Sequence, residues 1–489
     1  MSDMSRRVAA LSLCTVLSLL GLVAHTQGPA PTATAPATAF DAAFTGRTMR
    51  VDYFHTGRAG ERLITLDRIV DDGVWAGSRT RLIDDTNLGK FLVEVIDRAT
   101  NQVVFSRGFA SLSGEWETTP EARSEWRTFH DSLRFPWPVN PVQVVIKRRE
   151  ADQSFREIWS TLVDPASRFV NQSPPAPRGR LWTVFEHGPS ATKVDLLIIG
   201  EGYTEAELPK FHAQVRQLVD ALFATEPFKT RRADFNVRAL DLPSETSGVH
   251  RPQAGTSRRT PLSAEYNIFD SERYLLVQDN RALREVASVA PYDFLQIFVN
   301  EEHYGGGGIF GAHATAAAGN AFAEYLFIHE FGHHFAALAD EYYTSDVAYA
   351  TGGTEHAEPW EPNVTALKDP QRLKWADLVA PGTPLPTPWP KSEFEAAQRE
   401  YQQTRRELRA AGAPEHEMTA LFERQRARET TLLGQGPHAG IVGAFEGASY
   451  EAVGLYRPAA DCLMFSRNDV GFCPVCRRGI ERVIDLYSR

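Results

Sequence analysis

The chain has 489 residues, 43% hydrophobic and 23% charged, a composition that fits an ordinary globular protein and excludes a disordered or fibrous one. A formal net charge of −10 with no dense block of lysine and arginine argues against a nucleic-acid partner. The length calls for two folded domains.

In chain order, Arg6-Arg7 followed by the apolar run Val8 to Ala24 has the form of a secretory signal peptide over residues 1–27, cleaved near Ala24–Gly28, rather than of a retained anchor. The mature protein is then secreted or periplasmic, with no membrane contact after cleavage. Residues 28–44 are a Pro/Ala/Thr tether that cannot pack a core. Residues 45–168 alternate short strand-like runs with turn signals. Phe91, Val93 and Val95 point one way, Leu92, Glu94 and Ile96 the other, and Val142, Val144 and Ile146 repeat the period. This predicts an N-terminal β-sandwich, and no cluster of His, Cys or paired acids gives it chemistry. Residues 169–179, with Pro174, Pro175 and Pro177, read as the interdomain linker.

The second domain is predicted over 180–489. Val194–Ile199, apolar but for Asp195, is a run typical of a buried strand. Phe211, Val215, Leu218, Val219 and Leu222 recur at helical spacing, and 293–300 is another buried strand. Glycines 305–308 allow either a close backbone approach to a ligand or a plain turn. His313 reads as solvated.

Next comes His329-Glu330-Phe331-Gly332-His333. On a helix, residues four apart share a face, so His329 and His333 can aim two imidazoles at one point. Zn²⁺ takes such nitrogens and keeps an open position when catalytic, and Glu330 is placed to act as general base. The surrounding positions are apolar well beyond one stripe, so the helix is buried and its polar groups need partners. His334 points off the metal face. The third ligand is Asp340 or Glu341 if the helix ends near 336–338 and the chain turns back. If the helix runs on, it comes from Glu355, His356, Glu358 or Glu361. On a straight helix Asp340 would lie about 10 Å beyond His333 along the axis.

Residues 352–390 are rich in Pro and Gly. Residues 392–433 are charged and helical in pattern, a hairpin broken at Gly412–Pro414 and read as a solvated insertion without chemistry. After signal removal three cysteines remain, Cys462, Cys473 and Cys476. They predict one disulfide from Cys462 to Cys473 or Cys476, with one thiol left over.

These blocks resemble the bacterial IgA-peptidase family of zinc metallopeptidases, the igalysins of the metzincin clan. The resemblance extends beyond the His329–Tyr342 stretch to Asp195–Tyr203, Tyr304–Ile309, Glu361–Thr365, Asp461–Met464, Phe472–Cys476 and the N-terminal Glu115–Thr119, covering roughly 45–489. It implies a metzincin-like catalytic domain and a methionine turn that sets Met464 beneath the metal. One departure is Ala336-Ala337, where metzincins usually carry a glycine at the turn.

The expectation is therefore a two-domain α+β chain. An N-terminal β-sandwich precedes a metzincin-like α/β catalytic domain with a helical insertion at 392–433. The activity expected is secreted zinc-dependent endopeptidase action on protein or peptide substrates, with one catalytic Zn²⁺. His329, His333 and Asp340 are expected as ligands, Glu330 as general base, and Tyr450 or Tyr456 as oxyanion support. The competing expectation is a non-catalytic exported binding protein with a structural zinc. A gluzincin-type exopeptidase would need a third ligand on a helix beyond 350, where helix signals are weak.

Overall fold

The computed structural model describes residues 40–345 and 356–488. The segment read as a signal peptide, most of the tether and Glu355 lie outside the described residues. Among the described residues no helix is long and apolar enough to cross a membrane.

The N-terminal domain comprises α1 (Phe40–Ala43), β1 (Phe44–Arg58), β2 (Glu61–Val74), β3 (Phe91–Asp97), β4 (Val103–Phe109), α2 (Leu112–Trp116), β5 (Arg127–Pro138), β6 (Val142–Arg149), β7 (Phe155–Val163) and β8 (Val170–Asn171). Its strands form two four-stranded sheets, ordered β5-β1-β2-β8 and β4-β3-β6-β7. The period-two reading holds: Phe91, Val93 and Val95 of β3 are buried while Leu92, Glu94 and Ile96 are only partly so. They share one apolar core with Met49, Val51, Phe105 and Phe135. The boundaries move outward at both ends. Phe40 and Phe44 are buried, so the end of the expected tether packs into the domain, and Val170–Asn171 of the expected linker pairs with Ile69–Val70 as an edge strand.

The second domain contains β9 (Arg180–Phe185), β10 (Val194–Glu201), α3 (Leu208–Leu222), β11 (Phe235–Asp241), β12 (Ala264–Glu265), β13 (Leu276–Val277), α4 (Asn280–Ala287), β14 (Phe294–Val299), β15 (Gly306–Ile309), β16 (His313–Ala317), α5 (Ala323–Ala336), α6 (Lys391–Ala410), α7 (Glu415–Gly434), β17 (Phe445–Ala448), β18 (Glu451–Arg457) and α8 (Pro474–Ser488). Its main sheet runs β15-β16-β14-β10-β11-β9. The four strands β11, β10, β14 and β16 are parallel, and β15 closes the edge antiparallel to β16. Every position of β10 is buried: Leu196–Ile199 is covered on both faces, and the strand's two acids are buried with partners, Asp195 beside Arg238 and Glu201 under the 260–264 segment.

The two domains share a buried polar seam. Asp72 of the sandwich takes a hydrogen bond from Arg134 Nε at 2.7 Å, is paired with Arg50, and accepts from the Tyr292 hydroxyl at 3.3 Å. Arg134 also donates to the Tyr292 carbonyl at 3.0 Å. A fully buried carboxylate survives only with such compensation, so this seam fixes the sandwich to the start of β14. Nearer the cleft, the Ala110 amide donates to the Phe310 carbonyl at 2.9 Å, just beyond the edge strand.

The α6–α7 hairpin breaks at 411–414 as expected. It is not simply a solvated face, because Phe394, Gln398 and Tyr401 are buried and turned toward the catalytic sheet's cleft.

Candidate active site

Helix α5 carries the two-histidine motif and packs on the edge strand. Three of the four glycines, 306 to 308, lie in the edge strand β15, and two of them explain themselves. A Cβ on Gly308 would come within 2.1 Å of the Glu330 carbonyl and 2.9 Å of His333 Cβ; one on Gly306 would meet Glu330 Cγ at 3.0 Å. Only bare backbone lets α5 lie this close, and that closeness sets Glu330 and His333 over the edge strand.

The helix stops at Ala336. Ala337 adopts φ 55°, ψ 32°, the left-handed conformation that glycine usually supplies. The Ala337 and Leu338 amides fold back onto the His333 and Gly332 carbonyls at 3.0 and 3.3 Å. The chain then reverses and brings Asp340 over the helix. So the turn is made by alanine, at the second residue of the Ala336-Ala337 pair.

Three donor atoms meet there. His329 Nε2 lies 3.1 Å from His333 Nε2 and 2.9 Å from Asp340 Oδ1, and His333 Nε2 lies 3.2 Å from the same oxygen. Four donors at zinc's usual nitrogen and oxygen distances stand about 3.3 Å apart at tetrahedral angles, so this triangle has the edge length of one face of such a site. The far side of each ring is committed to backbone: Nδ1 of His329 faces the Leu463 carbonyl at 3.2 Å and Nδ1 of His333 faces the Leu338 carbonyl at 2.5 Å. Donation from both Nδ1 atoms turns both Nε2 positions toward Asp340, the orientation in which they would bind a metal. The Tyr450 hydroxyl donates to the other Asp340 oxygen, and Asn363 takes the Ala339 amide at 2.8 Å while donating to the Ala339 carbonyl at 3.0 Å.

Electrostatics follow from this packing. Burial alone would raise the Asp340 carboxyl, but His333 and His329 hold it well below the usual range. Burial would depress His333, and Asp340 with Glu330 outweighs it and lifts the imidazole to about 9. Burial also raises the Glu330 carboxyl above its ordinary value, against the pull of His329 and His333. Such a cluster attracts a cation.

The donors open onto a cavity of about 360 Å³ lined by Glu330, Tyr325, Arg273, Tyr450, the 306–309 edge strand and Trp360. Ala110, Glu115 and Thr118 of the N-terminal domain form part of its wall, as do Phe394 and Tyr401 of the hairpin. The Arg273 guanidinium lies 5.3 Å from the Tyr342 ring centroid, and its Nε and Nη2 find no acceptor among the described residues. It is a cation turned to the cleft.

The family model described as IgA Peptidase M64 matches residues 183–484, and that of the Peptidase M64 N-terminus matches 39–160. The chain belongs to the IgA peptidase M64 family. It is thus a peptidase of two domains, M64 N-terminal and M64 catalytic, and the family supports a metallopeptidase. Comparison with curated proteins finds no match.

Within this M64 peptidase the expected residues sort as follows. His329, His333, Asp340 and Glu330 come together. Glu341 points away from them, its Oε1 accepting from Asn363 at 2.9 Å. His356 meets the Val453 carbonyl at 3.2 Å and Glu358 pairs with Lys374 at 3.1 Å, both outside the cavity lining; Glu361 lines the cavity apart from the donor triangle. Of the two tyrosines, Tyr450 is at the site and Tyr456 is not, its backbone bridging to Thr365. His334 is wholly buried, accepting from the Leu295 amide at 3.2 Å and donating to the Ile309 carbonyl at 2.9 Å, which ties α5 to the sheet. His313 is buried rather than solvated, and burial pulls its imidazole down to about 3. Met464 is buried below the helix, close to Gly332. The expected disulfide is absent: Cys462, Cys473 and Cys476 are all free and buried. Tyr325, Asn363, Arg273 and the Leu463 carbonyl carried no local signal in sequence.

Proposed function

We propose that this M64 peptidase is a zinc-dependent endopeptidase of the metzincin type, exported as the N-terminal signal pattern suggests. His329, His333 and Asp340 hold the ion, and the converging Nε2, Nε2 and Oδ1 atoms are the observation that carries this reading. Bound zinc supplies a Lewis acid that polarises a scissile carbonyl and acidifies the attacking water. An extended peptide lies in the cavity walled by the 306–309 edge strand. Glu330 takes the proton from the attacking water and passes it to the leaving nitrogen, a role suited to a carboxylate whose affinity for protons is raised by burial. The Tyr450 hydroxyl, which donates to Asp340 in the resting site, would turn from it to steady the oxyanion.

The test is Glu330→Ala. The variant is expected to keep its metal, since the donors and their backbone partners are untouched, and to lose about 10³-fold or more in peptide hydrolysis. An unaltered turnover would refute Glu330 as base, and loss of the metal with activity would make it structural. N-terminal sequencing of exported material, expected to begin near residue 25–29, checks the export reading.

A further inference from the structure

Behind the catalytic triangle lies a second convergence of donors. Glu341, Cys462, Cys473 and Cys476 each offer one atom, all within 4.8 Å of one another, and all four residues are buried. We propose that they form a second, structural zinc site with three thiolates and one carboxylate.

The geometry suits a closed tetrahedral ion. Cys462 and Cys476 Sγ are 3.9 Å apart, and Cys476 Sγ is 3.2 Å from Glu341 Oε1. Thiolates at the usual zinc distance stand about 3.8 Å apart, and a thiolate and a carboxylate oxygen about 3.6 Å apart. A disulfide needs about 2.05 Å, and any pairing would strand the third thiol and the Glu341 carboxylate together in the interior. Glu341 Oε2 is buried with no hydrogen-bond partner among the described residues, so the carboxylate is not satisfied by the protein alone. Amides at the start of α8 support the sulfurs: the Cys473 N–H donates to Cys462 Sγ at 3.3 Å and the Cys476 N–H to Cys473 Sγ at 3.5 Å. Such contacts favour thiolate over thiol. The buried Arg457 guanidinium interacts with both Glu341 and Cys462 and offsets part of the remaining negative charge. By contrast, the Asp52, Asp67 and His130 group is already neutralised by Arg68 and Arg281.

The two sites share chain. Glu341 follows Asp340, and the Glu341 amide donates to the Met464 carbonyl at 2.9 Å. Cys462 precedes Leu463, whose carbonyl faces His329 Nδ1. A metal pinning Glu341 to Cys462 therefore clamps the two strands of chain that aim Asp340 and His329. Four protein ligands leave no open position, so its role is to hold shape.

Metal analysis of the full chain, purified anaerobically, decides it. Wild type is expected to hold two zinc ions, and His329→Ala/His333→Ala one. Cobalt exchanged into that double variant should show thiolate-to-cobalt charge-transfer absorption. Glu341→Gln and Cys476→Ser are expected to lose the second ion and to weaken zinc at the catalytic triangle 10–100-fold. Should these fail to fold, the cobalt spectrum of the double variant still answers. A wild type with one zinc and a histidine variant with none would overturn the proposal, as would thiols that react freely in the native protein or a disulfide in mapped peptides. Iron in place of zinc would refute the assignment of the ion. If instead the catalytic reading were wrong, the metal count would not respond to His329 and His333 while the thiolate spectrum persisted.

Discussion

Asn363 has no chemistry of its own, yet it holds three atoms of the loop that presents Asp340: the Ala339 amide, the Ala339 carbonyl and Glu341 Oε1. It is fully buried, so Asn363→Ala leaves polar groups unpaired and is expected to cost roughly 2–3 kcal/mol of stability. It should also weaken zinc binding 10–100-fold while leaving the ligands in place. Thermal melts with and without chelator measure both; a variant whose zinc affinity matches wild type would show that the loop holds itself. At this scale the legible residues were those whose meaning is a spacing. His329 and His333 declare themselves because four residues make one helical turn. Asn363 lies 24 positions from Ala339, and the Leu463 carbonyl 134 from His329, so no periodicity could connect them. The cysteines were legible as a set and misread as a disulfide, because their fourth partner, Glu341, sits 121 positions before Cys462 (462 − 341 = 121).

Two backbone devices govern the elements. Gly308 is where α5 presses on β15, and Gly308→Ala must push the helix off the strand. We expect a loss of about 3 kcal/mol, an overpacking cost, together with peptidase activity, because Glu330 and His333 ride on the displaced turn. Ala337 presents the opposite case. Its left-handed angles are strained for alanine, so Ala337→Gly is expected to keep activity and raise stability by up to ~1 kcal/mol, the relief partly offset by a freer unfolded chain. Denaturant titration of both variants tests this; destabilisation by Ala337→Gly would mean its methyl packing outweighs the strain. Strands β3, β4, β6, β10 and β14, with α3, α5 and the hairpin, were readable from period and punctuation, whereas β15 read equally as a turn. The turn after His333 was not, since alanine carries no sign of positive φ. The hairpin's inward face was hidden by its high charge.

Across the whole molecule, Glu201 ends β10 and fastens the 260–264 segment, accepting from the Leu262 and Ala264 amides at 3.1 and 3.2 Å and from the Thr260 hydroxyl. Burial raises its carboxyl to about 7 against these donors. A folded value above the unfolded one means the folded state binds the proton more tightly. This group's stabilisation is therefore complete below the unfolded value of about 4.3 and fades as pH rises through about 7. Glu201→Gln keeps an acceptor and removes the titration. Wild type should lose about 3 kcal/mol relative to that variant between about pH 4 and pH 8; parallel stability curves for the two would refute it.

The cleft is assembled from parts far apart in the chain, with Glu115 and Thr118 early, α5 in the middle, Tyr450 and the Leu463 carbonyl late. A ribosome delivers them in that order, and N-terminal segments fold first. The sandwich and the zinc-motif helix can both be present while Asp340 still lacks its tyrosine and His329 its carbonyl. Hydrolytic power is then acquired only with the last stretch of polypeptide, so the nascent chain carries its own delay against cutting the machinery that makes it.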